Sequence, residues 1–271
     1  MRKHQRELSK NKGDKMQETF WSIFDGLIIS DAFMYIPKRC INARYGQNGK
    51  QLIYSIYLKN LLLETEAGCS ITQPSMCIDK FGVITFHLKS RIHPVFTPHY
   101  ARWYTNKKKH VPKDIVLTPD VVRHWFIGDG NLHWNKERFR GICLATHSFS
   151  NEDREFLQHL MKEIGINIYI FSAGQMYIPR KSVENFFSYV QKCPVSCYDY
   201  KWEFSSRSKY NELKDVSDCI TIDNQQRSTW IHKDCVNVQR SSRKGGRRQV
   251  TPKQETTIYI VDDMILSLQK V

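Results

Sequence analysis

Two segments of this 271-residue chain repeat one pattern at a distance of 98 positions, and this repeat constrains the fold more than any other feature. Residues 24–32 read FDGLIISDA and residues 122–130 read VRHWFIGDG. Each segment is the end of a mostly apolar predicted helix that closes with an acid, Asp31 in the first and Asp129 in the second. A recurring pattern of this kind indicates repeated structural units that bury their apolar faces against each other. We therefore expect two copies of one unit.

The second copy shows the clearer order of elements. Thr118-Pro119 predicts where its first helix begins, and Gly130 predicts where that helix ends. Beyond it the pattern predicts strands at 132–140 and 141–145, a helix from Ser150 to Gly165, a hairpin at 167–178 and a helix from about Ser182. The order is therefore α-β-β-α-β-β-α.

The first copy is less distinct, with predicted helices at 17–30, 51–63 and 96–104 and a strand at 82–88. The expected class is α+β, with two pseudo-symmetric αββαββα repeats and antiparallel sheets. The predicted divisions are a basic N-terminal extension (1–16), a first repeat (17–105), a linker (106–117), a second repeat (118–204) and a basic C-terminal extension of unknown role (205–271).

The charge favours a polyanionic partner. Lysine and arginine total 41 against 27 acidic residues, a formal net charge of +14, and neutralising phosphates releases condensed counterions. The basic segment 240–248 is either an arm that contacts DNA or a solubilising tail. The sequence has neither an apolar run long enough to span a membrane nor a secretory signal, so we expect an intracellular protein of the cytoplasm, nucleus or an organelle.

The eight cysteines do not have the two-residue spacing of a zinc knuckle. We expect reduced, mostly buried thiols. A zinc site built from Cys219, His232 and Cys235 is the alternative.

The repeated motif resembles that of the LAGLIDADG homing endonucleases, in the double-motif subgroup whose second motif reads LTP…WFxDDG. Here Leu117-Thr118-Pro119 is followed by WFIGDG at 125–130. The subgroup's later motifs are similar to HSFS at 147–150, YIPRKS at 177–182 and YKW at 200–202. The resemblance covers residues 20–204. Three positions depart from it, since Ala32 replaces a glycine, Gly128 replaces a frequent second acid and His147 replaces a frequent glutamine.

The resemblance implies a monomeric enzyme that makes a metal-dependent double-strand break at a long DNA site, as in intron homing. Asp31 and Asp129 would hold Mg²⁺ or Mn²⁺ together with the adjacent backbone carbonyls of Ser30 and Gly128. Hydrolysis of a phosphodiester needs an activated water and charge neutralisation, which carboxylate-held divalent ions supply. A lone acid at a helix end is normally a solvated turn residue, and only the repeat favours function.

Four further residues are candidates for catalysis. Lys201 resembles the family's lysine that polarises water or stabilises negative charge, although its stem could simply cover neighbouring aromatic rings. By repeat offset Arg102 is its counterpart, with one of Lys107–Lys109 as the alternative. Gln47 and His147 resemble the polar residues that position water, and His147 has the alternative interpretation of a satisfied strand histidine.

The family's sheets are saddle-shaped and lie along the major groove of double-stranded DNA. The predicted DNA contacts are His133, Asn135, Lys136, Arg138, Arg140, Arg180 and Lys181. Two rival functions use the same fold, an RNA maturase that binds intron RNA and a DNA-binding regulator that does not cut. The presence of both acids favours cleavage.

Overall fold

The computed structural model describes residues 18–66, 74–78, 84–218 and 256–259. The first repeat has the predicted α-β-β-α-β-β-α order. Its elements are α1 (Phe20–Ile29), β1 (Ala32–Tyr35), β2 (Arg44–Gly49), α2 (Leu52–Leu63), β3 (Ser75–Ile78), β4 (Ile84–Lys89) and α3 (Phe96–Trp103). Strands β1 and β2 were not located from the sequence.

The region predicted as a linker contains a short hairpin of β5 (Tyr104–Thr105) and β6 (Lys108–Lys109). Asn106 and Lys107 at its tip have positive φ angles of 52° and 65°. The hairpin therefore gives a fixed position to lysines that a flexible linker would leave free.

The second repeat has the same order of elements. They are α4 (Pro119–Asp129), β7 (Gly130–Asn135), β8 (Arg138–Leu144), α5 (Asn151–Glu163), β9 (Tyr169–Ile170), β10 (Met176–Pro179) and α6 (Val183–Val190). A 3-10 helix (Ser196–Trp202) and a further helix, α7 (Arg207–Asp218), follow. Both copies thus confirm the α+β class and the αββαββα repeat.

Local capping chemistry fixes several of these boundaries. The Thr118 hydroxyl accepts a hydrogen bond from the Val121 amide at 3.2 Å, and the Ser150 hydroxyl accepts one from Asp153 at 3.1 Å. The predicted division between β7 and β8 was wrong, because the turn falls at 136–137, where Lys136 has a φ of 52°. Arg138 and Arg140 therefore belong to β8.

Each repeat contributes one antiparallel sheet. The strand order is β1-β2-β4-β3-β11 in the first and β7-β8-β10-β9 in the second, where β11 is Thr256–Tyr259. Strand β11 pairs with β3, so part of the predicted C-terminal extension completes the first sheet. One face of each sheet packs on the core, as Leu132, Ile142 and Ile178 do in the second.

Helices α1 and α4 pack side by side, and two glycines set how closely. A Cβ on Gly26 would lie 2.2 Å from the Val121 carbonyl oxygen, and a Cβ on Gly128 would lie 2.5 Å from the Ser30 Cβ. Ser30 and Gly128 are equivalent positions, 98 residues apart, so the pseudo-twofold axis passes between them. Gly128 departs from the family's usual acid because any side chain there would collide with Ser30.

Five cysteines lie in the described part of the chain, and all five are free thiols, three of them buried. The alternative zinc site of Cys219, His232 and Cys235 lies outside the described residues, as does the basic segment 240–248. Among the helices of the described residues, none has the length and apolar character needed to cross a bilayer.

Candidate active site

The two repeat acids lie at the same end of the central helix pair. Asp129 is the last residue of α4, and Asp31 follows α1 by two positions. A Cβ on Gly128 would be 3.4 Å from a carboxylate oxygen of Asp31, so the first-repeat acid lies against the second-repeat helix. The Ala145 amide donates to the Asp129 carbonyl oxygen at 3.1 Å and ties this helix end to the chain directly after β8.

A lysine occupies the carboxyl end of each motif helix. In the second repeat, the Lys201 ammonium donates to the carbonyl oxygens of Ile127 at 2.5 Å and Gly130 at 2.8 Å. In the first repeat, the Lys109 ammonium donates to the carbonyls of Ile28 at 2.9 Å and Ser30 at 3.1 Å. A positive charge at this end opposes the negative pole of the helix dipole.

The two acids and the two lysines form one electrostatic cluster. Burial, together with the negative charge of Asp31, raises the pKa of Asp129 to about 7, while both lysines act in the opposite direction. Burial also raises the pKa of Asp31. The pKa of Lys201 is lowered to about 8 by burial, against the attraction of both acids. Burial lowers the pKa of Lys109 as well. The two lysines therefore lower the pKa values of the acids by less than burial raises them.

The acids and the backbone carbonyls beside them are the candidate ligands for a divalent ion. The described residues contain no group of three or more His, Cys, Asp or Glu side chains that could hold a metal. Mg²⁺ is commonly held by one or two carboxylates, with water and substrate phosphates completing its shell. Two carboxylates flanked by backbone carbonyls fit that pattern. The Ser30 and Gly128 carbonyls already accept from Lys109 and Lys201, and a second lone pair is left on each oxygen.

A pocket of about 330 Å³ opens beside Asp31 and Lys201. It lies between the sheet of the first repeat and the end of the second motif helix. Its lining includes Asn48, Lys50, Gln51, Thr85, Tyr198 and Tyr200. The side chains that line it are mainly polar or aromatic, and such a lining suits a polar substrate and ordered water.

The strand register shows that Gln47 and His147 do not occupy equivalent positions in the two repeats, contrary to the count along the chain. Gln47 pairs with Ala32, next to Asp31, whereas Leu144 pairs with Gly130, next to Asp129. Leu144 is therefore the counterpart of Gln47, and His147, three positions later, corresponds to Lys50. The Gln47 side chain is 4% exposed and accepts from the Tyr45 hydroxyl at 3.3 Å, whereas His147 is exposed.

Arg102 does not lie with the acids. Its guanidinium forms a two-pronged contact with Asp25, at 2.6 and 3.0 Å, and a further hydrogen bond with Asp114 at 2.8 Å. Lys109 takes the position that the repeat offset assigned to Arg102. The offset failed because Lys109 follows Asp31 by 78 residues, whereas Lys201 follows Asp129 by 72.

The predicted DNA contacts lie on the surface of the second sheet and its connections. All seven are exposed: His133 and Asn135 on β7, Lys136 in the turn, Arg138 and Arg140 on β8, and Arg180 and Lys181 after β10. No DNA contact was predicted on the first sheet, since β1 and β2 were not located from the sequence. Arg44, Asn48, Thr85, His87 and Lys89 alternate there with buried neighbours and so point away from the core.

Comparisons with known proteins agree with this architecture. The sequence profile of the LAGLIDADG DNA endonuclease family matches residues 21–186. The protein MJ1098 of Methanocaldococcus jannaschii is 27% identical over 128 residues, which cover 42% of this chain and 50% of that relative. The chain thus matches only half the length of this relative. The homing endonuclease I-WcaI, solved bound to its DNA recognition sequence, has a TM-score of 0.60 at 24% identity, covering 70% of this chain and 90% of that one.

Proposed function

The chain belongs to the LAGLIDADG DNA endonuclease family, and from that premise we propose that it is a divalent-metal-dependent, site-specific homing endonuclease that cuts both strands of a long DNA site. One observation carries the proposal. Asp31 and Asp129 come from different repeats, yet they share one electrostatic cluster with Lys109 and Lys201 at one end of the helix pair. Partly buried acids at the negative ends of helices destabilise the metal-free folded protein. A function therefore explains their presence better than a contribution to stability does.

Each acid and its lysine have distinct tasks in this proposal. The carboxylates of Asp31 and Asp129 bind the ions, with the neighbouring carbonyls in reach. A divalent ion supplies an acidified water and neutralises charge on the phosphoryl oxygens. Lys109 and Lys201 favour the ionised form of the carboxylates, in part against the effect of burial, and would stabilise the negative charge that develops on the phosphate. The pocket beside Asp31 leaves room for water next to the scissile bond.

The pseudo-twofold axis accounts for the cutting of two strands. The strands of a duplex are antiparallel and are related by local twofold axes, so a protein with matching symmetry can present one acid–lysine set to each strand. In this chain Asp31 with Lys109 is one set, and Asp129 with Lys201 is the other. Because both sets lie on one polypeptide, we propose that a monomer suffices.

The outward sheet faces provide the DNA-binding surface in this proposal. Sheets of this size fit the major groove, where side chains reach base edges while lysine and arginine hold phosphates. The exposed guanidinium groups of Arg138 and Arg140 and the net charge of +14 suit that arrangement. The structural neighbour I-WcaI was likewise solved bound to its DNA recognition sequence.

The test is cleavage of a random duplex library in Mg²⁺ or Mn²⁺, followed by recovery and sequencing of the cut site. On that site, Asp129→Asn and Asp31→Asn should each cut at least about 10³-fold more slowly, since each removes an ion ligand worth several kcal/mol. Both variants should still bind the duplex. Asp215→Asn, at an exposed position of α7, is the matched control and should cut normally.

Two outcomes would contradict the proposal. If Asp129→Asn cuts as fast as the wild type, the carboxylates do not hold the catalytic ion. If the wild type binds a selected duplex but never breaks a strand at any concentration of divalent ion, the protein is a non-cleaving binder.

A further inference from the structure

Three aromatic side chains form a continuous ridge on the outward face of the second sheet. This aromatic ridge consists of His133 on β7, Tyr177 on β10 and Phe171 just after β9. The Tyr177 ring stacks on Phe171 with a centroid distance of 5.1 Å and meets the edge of His133 at 5.9 Å. The ridge therefore crosses the strands instead of following one of them.

The ridge is held rigidly in place. The Tyr177 hydroxyl donates to the Arg140 carbonyl at 2.7 Å, and the ring lies over Gly141, where a Cβ would be 2.8 Å from the hydroxyl oxygen. Phe171 is fixed by a tight turn, because its amide donates to the Gln175 carbonyl and its carbonyl accepts from the Gly174 amide, both at 2.8 Å. Gly174 adopts the positive φ of 83° that this turn requires. These contacts anchor the Tyr177 ring and the backbone at Phe171, on which the stacked pair depends.

The ridge faces away from the protein core. Tyr177 lies between Met176 and Ile178, which are fully buried, so its side chain projects from the opposite face of the sheet. Phe171 is 45% exposed although it has no polar atom. Together with the stacked Tyr177 ring it forms a contiguous apolar patch, and such a patch on a binding surface indicates an apolar contact with a ligand.

The charge around the ridge identifies the class of ligand. Arg138 and Arg140 flank the buried Phe139 and therefore project from the same face as Tyr177. Guanidinium groups of this kind bind phosphates, whereas an apolar protein partner would have to desolvate them. The surface combines phosphate-binding groups with a central apolar strip, which suits the major groove of a DNA duplex.

The thymine 5-methyl group is the one apolar substituent that projects from the base edges into the major groove; cytosine has only a hydrogen at that position. The nitrogen and oxygen groups there are hydrogen-bond donors or acceptors that a phenyl ring would desolvate without compensation. Resting on the proposed function, we propose that the aromatic ridge, with Phe171 as its most exposed apolar ring, selects thymine by its 5-methyl group in the half-site under the second repeat.

The described residues of the first sheet carry a different aromatic surface. Its exposed aromatic residue Tyr35 stacks on Phe33 at 6.2 Å, and the Arg44 guanidinium lies over the Tyr35 ring at 5.6 Å. This aromatic surface is shared with a cation, so it offers a mixed contact. The thymine selection is therefore assigned to the second half-site.

The experiment uses the full chain and a site selected from a random duplex library. Each thymine of that site is replaced in turn by deoxyuridine, which lacks only the methyl group, and affinity is measured without divalent ions. One or two replacements under the second repeat should weaken wild-type binding about four-fold each, the equivalent of one buried methyl group. In Phe171→Ala the same replacements should have no further effect, as in a double-mutant cycle.

Two variants separate the contact from a general loss of structure. Ile53 on α2 is 46% exposed, a fraction similar to that of Phe171, so it serves as the matched control. Ile53→Ala should keep the full response to uracil. Phe171→Leu keeps an apolar side chain and should retain part of the response.

The results that would overturn the inference are distinct from failure of the proposed function. If Phe171→Ala keeps the wild-type response to uracil, the ridge does not read thymine, while DNA binding and cleavage stand. A wild-type dimer that dissociates in Phe171→Ala would make the ridge a contact between copies. If the wild type selects no duplex at all, the proposed function and this inference both fail.

Discussion

In the second repeat, Lys201 is 6% exposed and its ammonium reaches carbonyl oxygens at the end of α4 from a 3-10 helix. In the first repeat, Lys109 reaches the end of α1 from a hairpin whose strands are two residues long. The two half-sites of the candidate active site are Asp31 with Lys109 and Asp129 with Lys201. They share a helix end, an acid and an ammonium, but different local structures hold the lysine. The charge arrangement is the common feature of the repeats, and the supporting segment is variable.

The two half-sites also differ in depth. Lys201 contacts four carbonyls within 3.4 Å and is close to the rings of Tyr198 and Phe126. Lys109 contacts two carbonyls and is only partly buried. Burial raises the pKa of both acids, that of Asp129 to about 7, and Asp31, at the pocket, is the more exposed of the two. We infer that the second half-site depends more on its own lysine, because water has less access to replace the hydrogen bonds that Lys201 donates.

The largest difference between the two halves of the site is expected from removing each ammonium while keeping its stem. Lys201→Met should slow metal-dependent cleavage by about 10²- to 10³-fold, the cost of losing one preorganised donor. It should also lower the free energy of unfolding by about 2 kcal/mol, because buried carbonyls lose their partner. Lys109→Met should slow cleavage by about 10-fold and cost less than about 1 kcal/mol of stability, since water reaches its carbonyls.

Single-turnover cleavage of the selected duplex and urea denaturation measure these two quantities. Lys162→Met, at an exposed position of α5, is the control for loss of a positive charge. Equal losses for Lys201→Met and Lys109→Met would show that the depth of the lysine has no bearing on either half-site.

A second, smaller effect concerns the stability of the metal-free protein as a function of pH. The folded-state pKa of Asp129 is about 7, above its ordinary value of 3.8. Between these values the folded protein holds a proton that the unfolded chain releases, so the free energy of unfolding should fall as pH rises from about 4 to about 7. Because Asp129 is partly solvated, we expect a fall of about 1 kcal/mol from this group.

Urea denaturation in a chelator at several pH values tests this slope. The difference between wild type and Asp129→Asn isolates the contribution of Asp129 from that of other groups. Asp31→Asn should flatten the slope in part, because the charge of Asp31 helps to raise the pKa of Asp129. Parallel curves for wild type and Asp129→Asn would mean that this carboxyl ionises as it does in the unfolded chain.

The features predicted correctly from the sequence depend on local chemistry. Thr118 and Ser150 cap helices by accepting hydrogen bonds from amides three positions away. A short stretch of sequence is therefore enough to predict these helix starts. The repeat itself gave the order of elements. Strand β2 was missed because its sequence, RYGQNG, has two glycines and few β-branched or apolar residues.

The site residues predicted less well depend on long-range geometry. Gln47 and His147 were matched by counting along the chain, but strand pairing sets Gln47 against Ala32 and leaves His147 beyond the end of β8. Register is fixed by the pairing of distant strands, which a count of residues does not contain. Arg102 was matched to Lys201 in the same way, and the hairpin that carries Lys109 invalidates that count.

The smallest effect on cleavage is therefore expected at Arg102, and it decides between the two candidates for the first half-site. Arg102→Met removes a partly buried ion pair with Asp25, so it should cost about 1 kcal/mol of stability. The single-turnover cleavage rate should stay within about two-fold of wild type, because the guanidinium lies with Asp25 and Asp114 and not with the acids. Lys109→Met, measured beside it, should show the opposite balance, a larger loss of cleavage with a smaller loss of stability. If Arg102→Met is the slower enzyme of the two, the count along the chain identified the right residue, and the contacts of Lys109 with the end of α1 are structural.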